Sequence, residues 1–261
     1  VYRLLVSSGL LHDAYETAKH RMCETGSMNN FRSDHHTDSR IDHIFLSPHF
    51  KVYTLDFPGF GGSDTPSEVW GVEEYTQMLE HFVSTLHIEN PILIGHSFGG
   101  RVSILYGSRN KVRKIVLVDA AGAKPRRPLK YYCKVYSYKL YKRFLYLTMG
   151  QERAEEKLEA RRRTAGSADY NALTGMMRRI LVKVVNEYLE EEMTRIKCPV
   201  QLIWGANDKD TRLREAKVML KRIPNARLDV IEDAGHYSFL DNPFRFRSYL
   251  TAFLKQEIYG K

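Results

Sequence analysis

Residues 91–100, Pro-Ile-Leu-Ile-Gly-His-Ser-Phe-Gly-Gly, constrain this chain more than any other stretch. An apolar, strand-like run enters Gly95-x-Ser97-x-Gly99 directly, and an amphipathic helix pattern follows. A serine held between a buried strand and a helix sits on a sharp turn that pushes its Oγ out above the sheet. Flanking side chains would collide there, and Gly95, Gly99 and Gly100 are expected to supply the room. Ser97 is the candidate nucleophile. The competing reading makes it only the cap of the helix that follows.

A serine hydroxyl is a poor nucleophile until a base takes its proton. Of ten histidines, only His236 follows residue 96. Asp233-Ala234-Gly235-His236 comes after the strand-like run 228–231, which puts the ring on the loop edge of a parallel sheet, where active sites collect. The carboxylate that orients the imidazole is expected between serine and histidine in chain order. Asp208 fits best, in the loop Gly205-Ala206-Asn207-Asp208 that leaves the strand-like run 200–204. Asp210, two residues on, and Asp119, at the end of a strand over 114–119, stay open as alternatives. Trp204 and Phe98 are read as packing residues.

From about Phe50 onward the chain resembles the α/β-hydrolase fold superfamily, specifically its cap-bearing serine hydrolases such as esterases and carbon–carbon bond hydrolases. The matching pieces are Asp56-Phe57-Pro58-Gly59-Phe60-Gly61-Gly62-Ser63, Gly95-His96-Ser97-Phe98-Gly99-Gly100, Trp204-Gly205-Ala206-Asn207-Asp208 and Gly235-His236. By resemblance, Ser97, Asp208 and His236 take the nucleophile, acid and base positions. The backbone N–H of Phe98 is implied as one oxyanion donor. Serine at the nucleophile position argues against the relatives that use aspartate there, the epoxide hydrolases and haloalkane dehalogenases.

One departure accompanies the match. The family's His-Gly motif, whose loop gives the second oxyanion donor, has no counterpart in residues 1–49: His12 precedes Asp13, His35 precedes His36, and His36 precedes Thr37. That donor therefore stays unassigned. The stretch 13–42 shows no sustained period of 2 or 3.6, and six of the ten histidines lie in the first 50 residues. Two explanations compete, a divergent extension and a shifted reading frame that rejoins the family near residues 45–50. DNA encoding the motif in a shifted frame would decide for the second. His12, His20, His35, His36 and His43 match no common metal-site spacing, so no metal is expected.

Strand and helix patterns alternate through the rest. Strands are expected over 51–56, 92–95, 114–119, 200–204 and 226–232, and helices over 72–87, 99–108, 212–222 and 243–258. Alternation of this kind argues for an α/β fold, a mostly parallel sheet with helices on both faces. A helical insert covering 123–197 interrupts it, the position of the cap in the resembling family. The expected organisation is an atypical segment 1–49, a core of 50–122 and 198–261, and a cap of 123–197. At 261 residues the chain can bury a full core without staples. Three widely spaced cysteines, Cys23, Cys133 and Cys198, suggest reduced thiols and a cytoplasmic setting. No apolar run reaches spanning length, and no signal peptide is visible.

The insert holds 18 Lys and Arg against 9 Asp and Glu, which is the whole net charge of +9. Within it, residues 124–146 carry eight basic residues, no acidic ones and seven aromatics. Three readings compete: a cap helix with aromatics toward the pocket and cations toward water, a basic helix resting on an anionic membrane surface, and attraction of a negatively charged substrate. Without a recognised binding motif, nucleic acid is not an expected partner. The functional expectation is a serine hydrolase cleaving carboxylic esters or similar small acyl substrates, with no cofactor. The same triad serves carbon–carbon bond hydrolases, thioesterases and aminopeptidases, and a non-catalytic binder would keep the pocket alone.

Overall fold

The computed structural model describes residues 52–127, 129–165, 173 and 175–259, preceded by two short strands, β1 (His12–Asp13) and β2 (Phe45–Leu46), which pair antiparallel. Then come α1 (Val72–Thr85), β3 (Ile92–His96), α2 (Phe98–Arg109) and β4 (Lys114–Val118). Four helices follow: α3 (Leu129–Met149), α4 (Gln151–Ala165), α5 (Gly175–Val184) and α6 (Glu190–Arg195). The chain closes with β5 (Val200–Gly205), α7 (Leu213–Arg222), β6 (Ala226–Ile231), α8 (Ser238–Asp241) and α9 (Pro243–Tyr259).

β3, β4, β5 and β6 form one parallel sheet in that spatial order. β4 and β5 are apolar almost throughout, as strands buried on both faces must be. Successive side chains point to opposite faces, and the core divides accordingly. Ile115, Leu117, Leu202 and Trp204 join Tyr75 of α1, Ile104 of α2 and Met219 of α7. Val116, Val118 and Ile203 join Ile231 and Phe253 of α9 on the other face. This is the α/β architecture that the alternation implied. β4 stops one residue short of the expected strand because Asp119 turns to a φ of +43°. The short α8 was not anticipated from the sequence.

One expected strand is absent. Among the described residues, 52–56 join no ladder, although their composition is strand-like. A strand needs a hydrogen-bonding neighbour, and β3 is the edge of the described sheet, with the Ile94 side chain there 52% exposed. The segment leads instead into a loop tied by its own aspartate. Gly62 N–H donates to Asp56 Oδ2 at 3.0 Å and Ser63 Oγ–H donates to the Asp56 carbonyl at 2.7 Å. Gly61 takes φ +52°, and a Cβ there would lie 2.2 Å from the Asp56 carboxylate. Apart from β1 and β2, the readings made of residues 1–49 lie outside the described residues.

The helices between β4 and β5 have two attachments. α5 and α6 are built into the main core through Ile180, Val184 and Met193. The buried Arg101 of α2 donates to the Glu187 carbonyl, and the Glu187 carboxylate accepts from the Val72 N–H at the start of α1, 2.6 Å away. A negative group at a helix N-terminus is favourably placed. α3 and α4 instead form a hairpin around Leu145, Ala154 and Leu158, backed by Tyr138, Tyr141 and Tyr146. Tyr132, Tyr136 and Phe144 of α3 are exposed, so its aromatics divide between α4 and solvent.

Candidate active site

β3 delivers Ser97 to the carboxyl end of the sheet. There the residue takes φ +47° and ψ −110°, a left-handed φ that costs of order 1–3 kcal/mol outside glycine. The neighbours explain how the turn is tolerated. A Cβ on Gly95 would lie 2.5 Å from the Gly99 carbonyl and from Ser103 Oγ, and one on Gly100 would lie 2.3 Å from Ala120 Cβ. Gly99 is different, because a Cβ there would meet nothing within 4 Å, so the room expected of it is not needed.

Ser97 Oγ lies 3.1 Å from His236 Nε2, and His236 Nδ1 lies 2.9 Å from Asp208 Oδ2. A carboxylate only accepts, so Nδ1 carries the proton and Nε2 is left to accept from the serine hydroxyl. The Asp208 side chain is fully buried and that of His236 is 13% exposed. Asp208 Oδ1 accepts from the N–H groups of Asp210 and Thr211 at 2.8 and 2.9 Å. Burial alone would raise the Asp208 pKa, but the hydrogen bonds from His236 and Thr211 lower it overall. For His236, burial pulls downward while the hydrogen bond and charge of Asp208, with Asp210 and Asp119, push upward and prevail.

Of the three candidate carboxylates, Asp208 touches the imidazole. Asp210 contributes its charge to His236, and its N–H to Asp208. Asp119 is wholly buried and braces the loops. Its Oδ1 accepts from Gly205 N–H at 2.8 Å, while its Oδ2 accepts from the Ser238 N–H and hydroxyl at 3.1 and 2.6 Å. It thereby joins the end of β5, which leads to Asp208, to the start of α8, just past His236. Burial pushes its pKa up to about 6 against those hydrogen bonds.

Two further residues about the site, Thr211 and His96, carry no role in the sequence pattern, and a third, Trp204, does more than pack. Thr211 Oγ1 lies 2.7 Å from Asp208 Oδ2, 2.8 Å from the Asp119 carbonyl and 3.3 Å from His236 Nδ1. Its single proton serves one acceptor at a time. The Asp-x-x-Thr spacing, in which a side chain caps the following turn, is a signal that would have found it. His96 Nε2 lies 2.8 Å from the His236 carbonyl, which fixes Nε2 as the protonated nitrogen, and burial pulls its pKa down to about 4. Nothing local marks His96. Trp204, read as packing, is buried and also donates its indole N–H to the Thr211 carbonyl at 2.6 Å.

Phe98, the first residue of α2, packs among Phe57, Phe60 and Tyr75 at ring separations of 5.0–6.0 Å. Phe57 and Phe60 come from the glycine loop after Asp56, and the Tyr75 hydroxyl donates to the Pro58 carbonyl at 2.9 Å to hold it. Asp208, Asp210 and His236 place three potential ligand atoms within 4.8 Å of one another. Asp208 Oδ2 and His236 Nδ1 already hydrogen-bond to each other. No described helix is long and apolar enough to cross a membrane.

A parallel sheet with a serine, a histidine and an aspartate brought together on the loops at its carboxyl end defines the architecture of an α/β hydrolase. The chain belongs to the alpha/beta hydrolase family, whose model matches residues 30–248, starting ahead of Phe50 where the motif resemblance begins. It is 25% identical to the uncharacterized protein Rv2715 of Mycobacterium tuberculosis, over 81% of this chain and 70% of that protein. It is 24% identical to the monoacylglycerol lipase ABHD6 of Mus musculus, over 80% of this chain and 69% of that protein. Among solved structures, an esterase from Exiguobacterium antarcticum shares the fold at a TM-score of 0.54 and 21% identity, over 77% of this chain and 80% of that one.

Proposed function

We propose that the protein is a serine hydrolase that cleaves carboxylic esters or similar small acyl substrates. The observation that carries this reading is the unbroken chain of contacts from Ser97 Oγ through the His236 ring to Asp208. Ser97 Oγ attacks the acyl carbonyl as His236 Nε2 takes its proton, and the buried Asp208 carboxylate steadies the resulting imidazolium. Collapse of the tetrahedral adduct expels the alcohol, protonated by His236, and leaves the acyl group on Ser97. Water, deprotonated by the same nitrogen, then releases the acid. The Phe98 N–H, at the positive end of α2, donates to the oxyanion. Phe57, Phe60 and Phe98 supply apolar surface beside Ser97. The names of the relatives, a lipase for monoacylglycerols and an esterase, favour ester over carbon–carbon or amide substrates. The exposed Cys133 thiol and the half-buried Cys198, whose pKa burial pushes up to about 11, fit a reducing, cytoplasmic setting.

A fluorophosphonate probe tests the reading because it reports an activated serine whatever the natural substrate. Labelling of the full chain is expected, with loss in both Ser97→Ala and His236→Ala. A folded chain that takes no label, yet binds acyl ligands, would overturn it in favour of a binding protein. Turnover of β-diketones in preference to esters would replace ester hydrolysis with carbon–carbon cleavage.

A further inference from the structure

α3 carries apolar side chains on two opposite sides, and among the described residues only one of them packs against a neighbour. Leu145 and Tyr138 face α4 in the hairpin core. The other side presents Leu129, Tyr136, Leu140, Phe144 and Leu147, 83%, 61%, 70%, 62% and 78% exposed. At 100° per residue these positions fall within one narrow sector of the helix, and they run for about 27 Å along it at 1.5 Å per residue. Solvent-facing apolar surface of that length needs a reason.

The charges on the same helix say what covers it. α3 contains Lys130, Lys134, Lys139, Lys142 and Arg143 and no acidic residue. Arg143 follows Leu140 by three positions and lies at the border of the apolar sector on the Tyr136 side. Lys139 Nζ sits 5.6 Å from the centroid of the exposed Tyr136 ring. Lysine and arginine at such borders lay their stems along apolar surface and hold their heads outward. Leucine, phenylalanine and tyrosine on one face with cations beside them match a helix lying in the plane of an anionic membrane surface. A second copy of the same helix would set the cations that border this face, Lys130, Lys139 and Arg143, against their own copies, with no acid on the helix to offset them. A spanning role is excluded for this helix, because it is not apolar enough to cross.

We propose that the outer face of α3 seats the protein on an anionic phospholipid surface, with Leu129, Leu140, Phe144 and Leu147 in the headgroup–acyl boundary and the flanking cations on lipid phosphates. The surface stands apart from the reaction assigned to Ser97, and its test needs no turnover.

The full chain is sedimented with sucrose-loaded vesicles of phosphatidylcholine alone or of phosphatidylcholine mixed with phosphatidylglycerol. Binding is expected to the anionic vesicles and to weaken as salt is raised. Leu140→Ser combined with Phe144→Ser should lower the partition coefficient about a hundredfold, roughly tenfold for each large apolar side chain. A melting temperature equal to the parent's shows that the variant is folded. An environment-sensitive dye on Cys133, exposed on the same face, should shift to the blue on vesicles when the other cysteines are replaced. Equal vesicle binding by the folded double variant overturns the proposal, as does absence of binding by the parent. A parent that is dimeric in solution and becomes monomeric in the double variant also overturns it, assigning the face to a second copy.

Discussion

The loops at the carboxyl ends of β4, β5 and β6 and the α3–α4 hairpin are held by opposite means. At the loops, a few buried polar groups reach across long sequence separations. Asp119 ties β5 to α8, Trp204 anchors Thr211, and Thr211 touches Asp208, His236 and the Asp119 carbonyl. In the hairpin three buried apolar residues, backed by Tyr138, Tyr141, Tyr146 and Met149, hold two helices together, while Leu129, Tyr136, Leu140, Phe144 and Leu147 of α3 meet solvent. A network of buried hydrogen bonds fixes positions finely and punishes the loss of any one partner. A small apolar cluster fixes a pair of helices and leaves their outer faces free to meet something else. The first suits chemistry and the second suits contact.

The sharpest break between the regions should come from Asp208→Asn. The Asp210 and Thr211 N–H groups keep the amide oxygen, so the NH2 group faces Nδ1 and favours the wrong tautomer, and by the magnitude usual for triads kcat falls about ten-thousandfold. The pH profile carries the second reading. Hydrolysis needs neutral His236, whose pKa is raised above the ordinary 6.5 chiefly by Asp208 despite burial. Activity of the parent should therefore be lost as pH falls through a value above 6.5, and the acid limb of the residual activity should move to lower pH in Asp208→Asn. An unmoved limb would mean that another carboxylate sets the imidazole's charge. No change of comparable size is expected from any single substitution on α3.

Stability separates the regions next. Leu202→Ala, in the wholly buried β5, should cost about 2–5 kcal/mol of global stability and lower the main unfolding transition. Leu145→Ala removes one of the three buried residues of the hairpin core. Its cost should appear as faster amide exchange confined to α3 and α4, with hydrolysis of a short soluble ester unchanged. If Leu145→Ala lowers the main transition as far as Leu202→Ala does, the hairpin is part of the same cooperative unit.

What the sequence revealed differs between the regions for the same reason. Ser97, Asp208 and His236 each stand in a glycine-marked loop directly after an apolar run, so local pattern alone brings them forward. The residues around them are defined by contacts that no local window contains. His96 meets the carbonyl of His236 across the sheet edge, and Asp119 meets Gly205 and Ser238. Gly95 and Gly99 look equivalent in sequence, yet only Gly95 faces backbone close enough to forbid a Cβ. The run 51–56 has the composition of a strand, but strand formation is decided by a neighbour, and none of the described strands pairs with it. On α3 the spacing of apolar residues was visible. The helix has two apolar sides, so the spacing did not say which of them α4 would take.

The smallest of these effects probes the network from inside. Thr211→Val keeps the shape of the side chain and removes one hydroxyl from between Asp208, His236 and the Asp119 carbonyl. Asp208 then keeps the N–H groups of Asp210 and Thr211 on Oδ1 and the imidazole on Oδ2. One hydrogen bond to a charged group is worth about 1.5–3 kcal/mol, but the hydroxyl proton is shared between two acceptors, so a loss in kcat of about tenfold is expected. The Asp208 charge stays in place, so the acid limb should not follow the shift seen in Asp208→Asn. Thr211→Ser, which restores the hydroxyl, should restore most of the rate. A limb that moves in Thr211→Val as far as in Asp208→Asn would transfer control of the imidazole from the carboxylate to the hydroxyl. The two substitutions together thus separate the group that carries the charge from the group that aims it.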